Sequence, residues 1–158
     1  MTKAKIRRKN EHFEEDLIFR YVAIGSYHPV TTEISVYDRK ENNVVIKDEH
    51  RLASTPPIVR EFTVETETLN EIKKSITDSG VMKIKPFEES PCLITDGEFE
   101  ELYFSDGAKR ISIACDDFFI SYQGCKEDSS AGIVIKLYDG ICELLGIEQE
   151  DEEELDDD

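Results

Sequence analysis

The sequence predicts an α+β fold: a mainly antiparallel β-sheet of eight or nine strands, built from hairpins and a meander, with two amphipathic helices packed on one face. Three observations carry this. Strand-like segments come in groups, four before the first helical stretch and five after it, whereas a doubly wound parallel sheet alternates strand and helix. The pairs Asp96-Gly97 and Asp106-Gly107 supply tight turns, because glycine accepts positive φ without steric cost. Two stretches repeat apolar residues at spacings of three and four, the period of a helix with one buried face.

Residues 17–24 are rich in β-branched and aromatic side chains and end at Gly25, which predicts a strand in a central position. Gly25 to Pro29 then reads as a turn. Residues 30–37 alternate, with Thr32, Ile34 and Val36 on one side and Thr31, Glu33, Ser35 and Tyr37 on the other. A polar reversal over 38–43 returns the chain into a strand beginning at Val44. Pro56-Pro57 stiffens the loop before residues 58–64, where Ile58, Phe62 and Val64 share a face that is broken by Arg60.

Thr68 and Glu71 have capping-box spacing, Leu69, Ile72 and Ile76 fall on one helical face, and Gly80 marks the stop, so a helix is predicted over 68–79. Strands are predicted next over 81–85, 92–95, 99–104, 109–115 and 118–122, separated by prolines, Asp-Gly pairs and Asp116-Asp117. After Glu127-Asp128-Ser129-Ser130, whose acids and hydroxyls suit a helix start, Val134, Leu137, Tyr138, Ile141, Leu144 and Leu145 recur at helical spacing until Gly146. Gly132 and Gly140 cost this second helix about 1 kcal/mol each relative to alanine. Either close packing compensates or the helix is shorter.

Charge organises the ends. The chain of 158 residues has a formal net charge of −17, with 36 Asp+Glu against 19 Lys+Arg. Residues 1–10 contain five bases and no acid and are predicted to be a flexible basic leader; residues 148–158 contain nine acids and no base and are predicted to be a disordered tail. Taking away those five bases and nine acids leaves −13 on residues 11–147, predicted to form a single domain. Such a field repels phosphate backbones and anionic lipid and attracts basic protein surfaces. Direct nucleic-acid binding and a membrane role are therefore not expected. No apolar segment follows the basic start, so a cytoplasmic location is expected.

Chemistry-bearing motifs are sparse. G-x-G-x-x-G, P-loop, H-E-x-x-H and G-x-S-x-G patterns do not occur. Cys92, Cys115, Cys125 and Cys142 form no C-x-x-C pair and read as reduced thiols, with Cys125, beside Lys126, the best placed to react. His12, His28 and His50 stand without partners at diagnostic spacing. Carboxylate pairs such as Glu88-Glu89 are common in so acidic a chain, and the calcium-loop pattern is missing. No cofactor, metal site or catalytic residue is assigned.

These readings favour a non-catalytic acidic protein that engages a basic partner surface, as an inhibitor, a toxin-neutralising immunity protein or a nucleic-acid mimic does. The candidate partner-binding residues are Glu100, Glu101, Asp116, Asp117 and Tyr122 in the body and Glu150, Asp151, Glu152, Glu153 and Glu154 in the tail. Tyr27, Tyr103, Phe118 and Phe119, with Tyr122, are candidate aromatic anchors, although most of them also read as core residues. The alternatives are a small enzyme whose site assembles from loops around His28, His50 and Cys125, and an accessory subunit that packs an edge strand or its last helix on a neighbour.

Overall fold

A computed structural model describes residues 4–8, 16–25, 30–50, 56–87 and 98–147. One antiparallel sheet contains β1 (Lys5–Arg7), β2 (Leu17–Ile24), β3 (Val30–Tyr37), β4 (Val44–His50), β5 (Ile58–Phe62), β6 (Phe99–Ser105) and β7 (Arg110–Asp116). Three helices accompany it: α1 (Thr66–Ser79), α2 (Phe118–Ser121) and α3 (Ser130–Leu145). The strand order is β1-β7-β6-β2-β3-β4-β5. Thus β2 to β5 form a meander, α1 leads the chain away from its edge, and the β6–β7 hairpin docks on the other side of β2.

The α+β class with an antiparallel sheet is as the sequence predicts, but details differ. The sheet has seven strands among the described residues, not eight or nine, and helices number three, not two. Residues 81–85 open with a 3-10 turn, Val81–Lys83, instead of a strand. The predicted strand at 118–122 is the short helix α2: Asp117 takes a left-handed conformation at φ 46°, which turns the chain out of β7 before the aromatic run can continue the ladder. The predicted strand at 92–95 lies outside the described residues. Lys5–Arg7, assigned by charge to a leader, is the edge strand β1, with Ile6 opposite Ile113.

Register arranges the helix-side face into rows. The first row is Ile111, Phe104, Phe19, Val36, Val44 and Phe62; the second is Ile6, Ile113, Leu102, Tyr21, Ile34, Ile46 and Arg60. Phe19, Phe104, Val36 and Val44 are wholly buried, and with Ile72 and Ile76 of α1 and Val134 and Ile141 of α3 they belong to one core. The third row is Cys115, Glu100, Ala23, Thr32, Asp48 and Ile58. Here the apolar pattern stops.

Both long helices end on a left-handed glycine, Gly80 at φ 79° and Gly146 at φ 72°, a conformation that costs glycine no Cβ clash. Helix α1 starts at Glu65 with no capping side chain, so the Thr68/Glu71 spacing is not used. In α3 the Ser129 hydroxyl accepts the Gly132 amide at 3.0 Å. Gly132 is required by space: a Cβ there would lie 2.1 Å from the Lys126 carbonyl oxygen. Gly140 has no atom within 4 Å of that position, so α3 keeps its full length without compensation at this residue.

Candidate functional site

The third row is where the sheet is left open. Tyr138 of α3 packs against Phe19 and Tyr21, with ring centroids 6.2 and 5.1 Å apart, so the helix covers the first row and reaches the second at Tyr21. Beyond it, between the strand ends and α3, lies a cleft of about 1370 Å³. Its floor is Tyr21, Ala23, Thr32, Ile34, Ile46, Asp48 and Arg60; its roof is one stripe of α3, Gly132, Lys136, Asp139, Gly140 and Glu143; its end wall includes Phe119, Gln123, Gly124 and Cys125. The volume exceeds the roughly 300–1,000 Å³ of small-molecule pockets.

The cleft is acidic. Asp48, Glu98, Glu127, Asp139 and Glu143 line it against Arg60 and Lys136 among the described residues. Thr32 Oγ1 donates to Asp48 Oδ1 at 3.0 Å, which fixes that carboxylate on the floor and leaves its other oxygen available to a donor. Aromatic surface lies beside these charges: Phe119 and Tyr138 have ring centroids 4.7 Å apart, and both line the space with Tyr21. Cations are attracted to such ring faces as well as to carboxylates.

Behind the aromatic wall sits Glu100, 6% exposed, on the third row beside Cys115. Burial pushes its carboxyl up to about 6, and the nearby Glu98 and Asp117 charges add to the rise; hydrogen bonds from the Tyr21 hydroxyl and the Phe119 amide oppose it. Burial and the same carboxylate raise Tyr21 well above the ordinary phenol range. Cys115 is pushed up to about 12, by burial first and then by Asp116, Glu100 and Asp117, so it remains a thiol. Burial likewise raises Tyr138.

The sequence-predicted residues separate here. Glu100 and Glu101 point to opposite faces of β6, as strand alternation requires. Asp117 is 5% exposed and accepts the Glu98 amide at 2.8 Å, closing the β6–β7 end. Tyr122 is 3% exposed and its hydroxyl accepts the Ala4 amide at 3.2 Å, holding the approach to β1. Glu100, Asp117 and Tyr122 are thus buried with hydrogen-bond partners inside the protein, Tyr122 also bordering the cleft, whereas Glu101 is half-buried and Asp116 exposed. Glu150, Asp151, Glu152, Glu153 and Glu154 lie outside the described residues, as do His12, His28, Cys92 and Tyr27. His50 is exposed at the end of β4, and Cys125 is in the cleft wall. Phe118 and Tyr103 are buried, and Phe119 is half-buried at the cleft.

Sequence reasoning missed Asp48, Asp139 and Glu143. A signal existed for the first: Val44, Ile46 and Asp48 share one parity on β4, so the acid interrupts an apolar face. Asp139 and Glu143 sit one turn apart on the α3 stripe that flanks its buried residues. Among the described residues no group of three or more His, Cys, Asp or Glu is arranged to hold a metal ion. No helix among them is long and apolar enough to cross a membrane. No family model and no curated protein matches the chain.

Proposed function

We propose that this protein is a non-catalytic binding module that engages a basic partner protein, taking a cationic segment into the cleft between α3 and the third sheet row. The observation that carries the reading is the cleft itself: its size suits a peptide, and carboxylates outnumber bases along its walls. Electrostatic attraction from a body of −13 would raise the rate of encounter, while the aromatic wall supplies desolvated contact area. Inhibitors, immunity proteins and nucleic-acid mimics share this chemistry.

The test is affinity capture from native extract at low and high salt, using the full chain and the double variant Asp139→Lys/Glu143→Lys. Proteins of high isoelectric point are expected on the full chain at low salt and not on the variant. Equal capture by both refutes the cleft.

One feature favours a small enzyme as second reading: burial pushes the Glu100 carboxyl up to about 6, and it lies behind the wall of the cleft that Cys125 also lines. Binding remains the better reading, because Tyr21 and Phe119 occupy the Glu100 oxygens and its neighbour Cys115 stays protonated.

A further inference from the structure

We infer that the outer edge of β5 is a docking strand, which pairs with an extended partner segment alternating basic and apolar residues. The inference rests on the basic-partner reading above and adds a surface to it. Strand β5 is last in the sheet, and among the described residues no strand pairs with its outer side.

The direction of its backbone groups follows from two hydrogen bonds. The Tyr37 amide donates to the Asn43 carbonyl at 2.8 Å, so odd-numbered residues of β4 turn their polar groups toward β3. Val44, Ile46 and Asp48 therefore bond with their register partners Phe62, Arg60 and Ile58. The Val64 amide, donating to Asn43 Oδ1 at 2.9 Å, keeps the same parity on the other side. Val59 and Glu61 are left with amide and carbonyl facing outward.

The two sheet edges are defended differently. Strand β1 is three residues long and carries Lys5 and Arg7, the short, basic form that discourages pairing. Strand β5 is five residues long and exposes Ile58 by 64% and Val59 by 51%. An incoming strand would cover these aliphatics while satisfying the outward groups.

Side-chain parity selects the partner's pattern. Ile58 and Phe62 lie on the helix-side face, so apolar residues of the incoming strand belong there. Glu61 lies on the opposite face beside Val59, with Glu49 on the same side of β4, so a basic residue whose aliphatic stem covers Val59 belongs on that face. Lys47 on this face lies between Val59 and Glu33, so the incoming base belongs opposite Glu61 and not opposite Val59. The reversed pattern would set a base beside Arg60.

The probe is a short capped peptide alternating lysine and valine, compared with two forms N-methylated at alternate residues in either frame. At low salt the parent is expected to bind and slow hydrogen exchange at the Val59 and Glu61 amides about tenfold, with one methylated form losing binding. Val59→Pro removes an outward amide that an edge strand can spare, so the protein folds and affinity falls about tenfold. If peptide binds but protection appears only around Asp139 and Glu143, or Val59→Pro binds like the parent protein, the β5 assignment falls and the cleft reading stands. If no form binds, both fall. If the chain alone self-associates and Val59→Pro makes it monomeric, the occupant is a second copy and the inference is overturned.

Discussion

Replacing Glu100 with glutamine is expected to stabilise the protein at neutral pH and to leave its stability unchanged near pH 4.5. The carboxyl is 6% exposed and its value rises from 4.5 to about 6 in the folded protein. In the unfolded chain it returns to the ordinary range, so between these pH values the unfolded state releases a proton that the folded state keeps. Stability from this group is therefore fully present below pH 4.5, falls as pH rises to about 6, and is level above. The gap corresponds to about 2 kcal/mol. Glutamine has nearly the same shape, keeps its carbonyl oxygen for the Phe119 amide while its NH2 donates to a turned Tyr21 hydroxyl, and never ionises, so it removes that penalty. Urea unfolding at pH 7.5 and pH 4.5 measures both values. A gain of about 2 kcal/mol at the higher pH that vanishes at the lower supports the reasoning. A pH-independent difference, or a carbon-13 titration placing Glu100 in the ordinary carboxylate range, refutes it.

The two glycines of α3 should respond in opposite directions. Gly132→Ala forces a Cβ to within 2.1 Å of the Lys126 carbonyl and is expected to cost about 1–3 kcal/mol, whereas Gly140→Ala meets open space and gains up to about 1 kcal/mol, both read by urea unfolding. Among Cys115, Cys125 and Cys142, a thiol reagent at pH 8 should modify Cys125 first, since the other two are buried; peptide mapping showing Cys115 first would contradict its raised value. Truncation after Ile147 removes the nine acids of the tail but leaves −13 on residues 11–147, so capture of basic proteins should persist. Loss of capture on truncation would transfer the function to the tail.

The fold was legible wherever a local pattern agreed with its surroundings. Leu69, Ile72 and Ile76 announced α1, and the alternation through Ile34 and Val36 announced β3, because each set needs only one buried face. The aromatic run at Phe118 misled, since a short apolar stretch fits strand and helix alike and the positive φ of Asp117 decided between them. Lys5-Ile6-Arg7 was hidden by its charge, although its single apolar residue meets Ile113. The site was less legible. Its lining joins Thr32 and Asp48 from neighbouring strands to Tyr21 and Glu98, and the β2–β6 pairing that assembles them joins residues about half the chain apart. A polar residue of apolar parity, as at Asp48 and Glu100, was the available clue.

The rows of the sheet also divide how this molecule can change over generations. Phe19, Val36 and Ile113 are buried among close-packed neighbours, so a substitution there is paid in stability. Thr32 and Asp48 face a space that no helix fills, and their replacement disturbs little of the core. Side chains can therefore drift along one end of the strands while the other end holds the architecture constant. A lineage built on this plan can remodel the lining of the cleft without first having to survive unfolding.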